Sequence, residues 1–118
     1  MIYPNYKILR EYFSEKRRIV ITTHRSPDGD ALGSSVAIYE AFKNQGHKIC
    51  IIVPNSFPDY LSFIPNSNEV IIFDQDENKA IYEIKKADTF FFLDFNDYCR
   101  IDLMESYILK NNGYKIMI

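Results

Sequence analysis

Residues 19–34 read Ile19-Val20-Ile21-Thr22-Thr23-His24-Arg25-Ser26-Pro27-Asp28-Gly29-Asp30-Ala31-Leu32-Gly33-Ser34. The first part is a short run rich in β-branched residues, which predicts a strand, and the last part predicts the opening of a helix. Between them one imidazole and two carboxylates stand within seven residues, at His24, Asp28 and Asp30. Two like charges in one turn repel each other, and a divalent cation converts that repulsion into binding. This segment therefore predicts half of a metal site at the end of a strand.

Apolar runs of strand length recur along the rest of the chain. Each is nearly continuous rather than alternating, which is typical of strands buried on both faces of a parallel sheet. The predicted strands are Ile19–Thr23, Lys48–Val53, Val70–Phe73, Thr89–Leu93 and Lys115–Ile118.

Helical patterns alternate with these strands. The predicted helices are Asn5–Lys16, Ala31–Gln45, Glu77–Lys86 and about Tyr98–Lys110. Asp76 and Asp97 are predicted to cap the third and fourth helices, and Gly46 to end the second. The stretch Pro54–Asn68 is predicted to be a loop with a short helix near Asp59–Phe63.

Strand–helix alternation predicts an α/β fold, an open and mainly parallel Rossmann-like sheet with helices on both faces. Such sheets bind ligands beyond the carboxyl ends of their strands. The residues from His24 to Asp30 follow the first strand and Asp94 follows the fourth, so both are expected at that edge. His47 precedes the second strand and is expected at the opposite edge, away from the site.

Composition and charge exclude several classes of protein. The chain has 118 residues, which suits one domain, and a formal net charge of −2, which argues against a surface that neutralises long duplex nucleic acid. Two cysteines are too few for a disulfide framework, and no apolar run approaches the roughly 20 residues of a membrane span. We expect a cytoplasmic protein that does not act at a membrane.

The acidic turn has simpler interpretations than a metal site. Pro27-Asp28-Gly29 is ordinary turn chemistry, Asp30 is a reasonable N-cap for a helix from Ala31, and His24 could bond to backbone. A calcium loop is excluded because an EF-hand that starts at Asp28 would need glutamate at Tyr39. The glycine spacing also matches neither a dinucleotide fingerprint nor a phosphate-binding loop.

Two carboxylates with one imidazole suit Mn²⁺, and their crowding favours two ions rather than one. Asp94 is the expected contribution from the second half of the site, with Asp74 as a rival and Asp97 as a helix cap. Backbone N–H groups around Gly33 and Ser34 are expected to face the same space. Arg100 is expected either to pair with an acid of the site or to be solvated.

The pattern resembles the DHH phosphoesterase family. The similarity rests on residues 24–34 as that family's first motif, and on Leu93-Asp94-Phe95-Asn96 with Arg100 as its second. Within the family, the chain is most similar to the bacterial branch of bifunctional oligoribonucleases and PAP phosphatases. The resemblance implies that His24 and Asp28 bind one Mn²⁺, that Asp30 binds the other, and that Asp94 bridges them.

The resemblance also implies a function. We expect a Mn²⁺-dependent phosphoesterase, with Mg²⁺ or Co²⁺ as substitutes, that hydrolyses short oligoribonucleotides and pAp by in-line attack of water on phosphorus. Gly33, Ser34 and Arg100 are the candidate substrate-binding residues. A homodimer is compatible with the sequence, which does not determine oligomeric state.

The strand at Lys115–Ile118 stands at the end of the sequence. We therefore expect residues 1–118 to be the N-terminal part of a DHH domain, without the third motif or the C-terminal substrate-binding domain, and inactive alone. Two alternatives stay open. The first is another DHH activity: a cyclic-dinucleotide phosphodiesterase, a single-strand exonuclease or a polyphosphatase. The second is a non-catalytic module that binds nucleotides or a protein.

Overall fold

The computed structural model describes residues 6–93 and 104–118. The strands are β1 (Arg18–Thr23), β2 (Lys48–Val53), β3 (Ile71–Ile72), β4 (Thr89–Leu93) and β5 (Tyr114–Met117). The α-helices are α1 (Tyr6–Tyr12), α2 (Gly29–Asn44), α3 (Glu77–Lys86) and α4 (Met104–Leu109), and a 3₁₀ turn spans Asp59–Phe63.

The five strands form one sheet in the order β3-β2-β1-β4-β5, and every pairing is parallel. The predicted α/β class is therefore confirmed, and the sheet is wholly rather than mainly parallel. The chain builds outward from β1 through β2 to β3, then returns through α3 to place β4 on the other side of β1. This reversal between β1 and β4 is a topological switch point, where open α/β sheets bind ligands.

Apolar side chains cover both faces of the sheet. One face packs against α3 and α4 through Ala80, Ile84, Met104 and Ile108. The other packs against α2 and the chain after α1 through Val36, Tyr39 and Phe13. Because β1 and β4 are buried on both faces, their sequences are continuously apolar, which explains why the pattern located them so well.

Several predicted boundaries and caps differ from the structure. Strand β1 begins at Arg18 rather than Ile19, and β5 spans Tyr114–Met117 rather than Lys115–Ile118. Helix α2 begins at Gly29, before Ala31, and its N-cap is Asp28 rather than Asp30. Strand β3 is shorter than Val70–Phe73 because the N–H groups of residues 75 and 76 both donate to the Ile72 carbonyl and turn the chain out of the sheet. Asp76 does precede α3, but its side chain makes no capping hydrogen bond.

The predicted fourth helix is described only over Met104–Leu109, and its proposed cap Asp97 lies outside the described residues. Helix α1 is also shorter than Asn5–Lys16. Within the described ranges, no helix is long and apolar enough to cross a bilayer.

His47 lies at the amino end of β2, as predicted, and has a structural role there. Its ring contacts Phe13 and Phe42, with ring centroids 5.8 Å and 5.5 Å away, and its Nδ1 accepts the Arg17 N–H at 2.9 Å. Burial, and then the positive charges of Lys16 and Arg17, lower the pKa of His47, which Asp88 opposes. The folded protein therefore favours the neutral imidazole.

Candidate functional site

The first motif leaves the carboxyl end of β1 at the switch point. Strand β1 ends at Thr23, which pairs in register with Leu93 at the end of β4. The hydroxyl of Thr23 is buried and donates to the His24 carbonyl at 3.2 Å. The loop from His24 to Asp28 therefore begins from a fixed backbone position between two central strands.

A backbone hydrogen bond fixes the orientation of the His24 ring. Its side chain is buried, and Nδ1 lies 2.7 Å from the backbone carbonyl oxygen of Arg25. A carbonyl oxygen only accepts hydrogen bonds, so Nδ1 carries the proton. In the neutral ring Nε2 then carries the lone pair, which is the usual arrangement of a metal-ligating histidine and its backbone partner.

Asp28 caps the helix that follows. Its Oδ1 accepts the Ala31 N–H at 2.9 Å, and its backbone carbonyl accepts the N–H of Leu32. The carboxylate is exposed, and in the described part of the chain its Oδ2 accepts no hydrogen bond. One carboxylate oxygen of Asp28 thus stabilises the start of α2, and the other remains for a ligand.

Asp30 lies two residues further, in the first turn of α2, and is exposed. It lines a cavity of about 500 Å³ at the carboxyl edge of the sheet, between α2 and the ends of β4 and β5. The cavity is lined by Asp30, Ser34, Ala37, Ile38, Leu93 and Ile118. Among the described residues that line it, Asp30 and Ser34 have polar side chains, so two of the predicted site residues share one cavity.

Gly33 faces open space. A Cβ atom built on it would meet no heavy atom within 4 Å in the part of the chain that the structure describes. Packing among these residues therefore does not require glycine at this position. A close approach by a ligand or by another part of the protein would require it.

Further along the carboxyl edge, the 3₁₀ turn Asp59–Phe63 packs over the start of α2. A Cβ atom on Gly29 would lie 3.7 Å from Cδ2 of Leu61, which is buried. Asp74, the rival ligand after β3, is exposed on the far side of β2 from the switch point. A larger cavity of about 800 Å³ runs along the outer edge of β2, and none of the predicted site residues line it.

The predicted ligands are brought to one edge but not into one cluster. Among residues 6–93 and 104–118, no group of three or more His, Cys, Asp or Glu side chains is placed to hold a metal ion. Asp28 is turned toward its helix cap, and Asp30 faces the cavity beside Ser34. Asp94 and Arg100 lie outside the described residues, so the predicted second half of the site is not described.

The donor set nonetheless fits divalent metal chemistry. One imidazole, whose Nδ1 is hydrogen-bonded to a backbone carbonyl, and two exposed carboxylates provide nitrogen and oxygen ligands without thiolate, which suits Mn²⁺ better than a structural zinc. The sequence identified these three residues. It did not identify Asn55, whose side chain bonds to Ser26 inside the loop from a position 29 residues away. No local pattern reveals such a pairing.

Known proteins share this fold and sequence. A crystal structure of an exopolyphosphatase-related protein from Bacteroides fragilis superimposes with a TM-score of 0.91 at 39% identity, over 95% of this chain and 33% of that one. A bifunctional oligoribonuclease and PAP phosphatase NrnA from Thermus thermophilus is 41% identical over 51 residues, which are 43% of this chain and 15% of that protein. The chain thus spans a third or less of the length of these relatives.

A protein-family model matches most of the chain. The model of the DHH family's N-terminal domain matches residues 18–116, from the first residue of β1 to the penultimate residue of β5. Because this match covers most of the 118 residues and all five strands, the chain belongs to the DHH family.

Proposed function

We propose that the protein is a divalent-metal-dependent phosphoesterase that hydrolyses short oligoribonucleotides to mononucleotides and removes phosphate from pAp. The observation that supports it most directly is the His24 ring, whose Nδ1 lies 2.7 Å from the Arg25 carbonyl oxygen, as in histidines that bind metal through Nε2. The similarity to an oligoribonuclease and PAP phosphatase supports the substrate class.

In this proposal His24 and Asp28 hold one Mn²⁺, Asp30 holds a second, and Asp94 contributes to both. Two such ions supply activation of water and stabilise the leaving oxygen in phosphoester hydrolysis. Asp28 keeps one oxygen on the helix cap, which fixes the direction of the other. Ser34 lines the same cavity as Asp30, and in this proposal its hydroxyl donates a hydrogen bond to a phosphate oxygen.

The helix α2 adds a second attraction for phosphate. Its 16 residues run away from the loop, so its N-terminal end, which carries partial positive charge, faces the carboxyl edge. Two acidic side chains at this end would repel a phosphate without cations. Bound cations attract both the acidic side chains and the phosphate, so phosphate binding in this proposal depends on the metal ions.

The test is hydrolysis of the dinucleotide pApA and of pAp by the protein as its gene encodes it, with and without Mn²⁺. We expect Mn²⁺-dependent release of AMP, reduced at least about 100-fold by Asp30→Asn or His24→Ala. Asp74→Asn is the matched control, since it neutralises an exposed acid that follows β3 outside the proposed site. Hydrolysis by Asp30→Asn at the wild-type rate would exclude Asp30 from the site.

A second candidate is hydrolysis of inorganic polyphosphate. It is favoured by the exopolyphosphatase-related structure, which is similar over 95% of this chain, whereas the oligoribonuclease matches only 43%. The same preparation assayed with polyphosphate separates the two, because polyphosphate has no nucleoside to bind. Faster Mn²⁺-dependent turnover of polyphosphate than of pApA would replace the first candidate by the second.

A further inference from the structure

The loop that carries the proposed ligands is tied to the neighbouring strand by one side chain. Asn55 follows β2 by two residues, and its Oδ1 accepts the Ser26 backbone N–H at 2.5 Å. Its Nδ2 donates to the Ser26 hydroxyl oxygen at 3.1 Å. Both ends of one amide therefore bond to one residue of the β1–α2 loop.

Ser26 needs such support because of its backbone conformation. Its φ is 55°, in the left-handed region that residues with a side chain rarely adopt without compensation. Glycine would adopt this conformation freely, but this position has serine. The two hydrogen bonds from Asn55 supply an external constraint that the serine itself does not provide.

The position of Ser26 makes this constraint relevant to the ligands. It lies two residues after His24 and two residues before Asp28, so its backbone angles set the direction of one relative to the other. The next residue, Pro27, is buried and has a fixed φ, so the backbone angles of Ser26 are among the few that can change within the loop. A change in these angles would move His24 and Asp28 apart or together.

We propose that Asn55 is a positioning residue of the metal site: its amide holds Ser26 in the left-handed conformation and thereby fixes the geometry of His24 relative to Asp28. This inference rests on the proposed metal-dependent function. Residues that orient metal ligands without touching the metal change its affinity when they are removed. Asn55 performs this task from the segment that follows the adjacent strand β2, so the segments after β1 and β2 together define the loop.

The experiment measures Mn²⁺ binding by isothermal titration calorimetry, with the protein as its gene encodes it. We expect Asn55→Ala to raise the Mn²⁺ dissociation constant about tenfold. In the double variant Ser26→Gly with Asn55→Ala, part of the loss should be recovered, because glycine accepts the left-handed conformation without help. Ser56→Ala, an exposed polar residue next to Asn55, is the matched control and should bind within about twofold of wild type.

A second readout does not require metal. In the metal-free protein, Asn55→Ala should shift the imidazole resonances of His24 and the amide resonance of Ala31, which reports the Asp28 cap. Ser56→Ala should shift neither. A loss of stability without movement of the loop would leave these resonances at their wild-type positions, and that result would overturn the proposal.

The remaining outcomes separate this inference from the proposed function. If the wild-type protein binds Mn²⁺ and folded Asn55→Ala binds it equally well, Asn55 is not a positioning residue and the proposed function stands. If Asn55→Ala does not fold, the double variant Ser26→Gly with Asn55→Ala should restore folding, because glycine adopts the left-handed conformation without support, and a double variant that stays unfolded would overturn the proposal. If wild-type protein binds no Mn²⁺, the proposed function itself fails and this inference fails with it.

Discussion

Gly33→Ala should stabilise the fold, although Gly33 belongs to the first motif. The residue lies inside α2, where glycine is less favourable than alanine by about 0.5–1 kcal/mol because the unfolded chain loses more freedom on folding. The structure removes the usual objection to a larger residue, since an added Cβ meets nothing within 4 Å among the described residues. We therefore expect the free energy of unfolding to rise by about 0.5–1 kcal/mol.

Gly113→Ala is the matched comparison, because it adds the same methyl group in a crowded place. Its Cβ would lie 2.6 Å from the Asp88 carbonyl oxygen, which already accepts the Tyr114 N–H at 2.9 Å. Backbone atoms at the start of β4 and β5 cannot move apart without disturbing the pairing of these strands. The free energy of unfolding of this variant should fall by about 2 kcal/mol, which is typical of overpacking.

Urea unfolding followed by circular dichroism measures both variants, with an unchanged m-value as the condition for comparing midpoints. We expect the free energy of unfolding to rise for Gly33→Ala and to fall for Gly113→Ala. Destabilisation of Gly33→Ala by more than about 0.5 kcal/mol, outside the range of ordinary surface substitutions, would refute the reasoning from helix propensity. If the stabilised variant also loses Mn²⁺-dependent hydrolysis, glycine is required at this position for ligand approach, and full activity would remove Gly33 from the substrate-binding residues.

Three further substitutions or conditions test the loops and the amino edge of the sheet. Gly46→Ala should lower the free energy of unfolding, measured in urea, by about 1–2 kcal/mol, because the φ of 90° at this position is unfavourable for a residue with a side chain. Gly29→Ala is the control and should not show this loss, because its added methyl group would make an ordinary contact at 3.7 Å. Asn111→Ala should lower the free energy of unfolding by about 2–3 kcal/mol in the same assay. The Asn111 amide donates at 2.9 Å to the carbonyls of Ile84 and Ala87, at the end of α3, and accepts the N–H of Gly113. A loss under about 0.5 kcal/mol would exclude this role. The pKa of His47 is lowered in the folded state, so the unfolded state binds more protons below pH 6.5, and stability should fall as pH decreases from there until the lowered pKa is passed. His47→Gln should flatten this part of the pH dependence, and an unchanged slope would contradict the assignment.

The fold could be predicted in detail where burial determines the sequence. The sequence predicts strands Lys48–Val53 and Thr89–Leu93 with the bounds that the structure has, because a buried parallel strand is a continuous apolar run whose first and last residues are easy to recognise. Predicted helix boundaries were wrong where two neighbouring residues could serve as the N-cap. Asp28 and Asp30 are both good N-caps, and only the hydrogen bond from Ala31 to Asp28 decides between them.

The site was predictable in its location and incompletely predictable in its geometry. The order of strands and helices indicated which edge carries His24 and Asp30, and the structure places them there. The direction of each side chain depends on contacts that no local pattern contains. The Nδ1 hydrogen bond of His24, and the amide of Asn55 on Ser26, join atoms whose partners the sequence does not identify.

The sheet itself supports joining the two halves of the proposed site. The strand order reverses between β1 and β4, and the described helices that come after these strands, α2 and α4, pack on opposite faces of the sheet. Open α/β sheets bind ligands at such a switch point. Thr23 and Leu93 are register partners at the end of this pair, and His24 and Asp94 are the next residues in sequence. The proposal for Asp94 therefore rests on the register of two buried strands, and Asp94→Asn tests it. That substitution should abolish Mn²⁺-dependent hydrolysis while the urea unfolding midpoint stays near that of wild type, and hydrolysis at the wild-type rate would show that the second half of the site lies elsewhere.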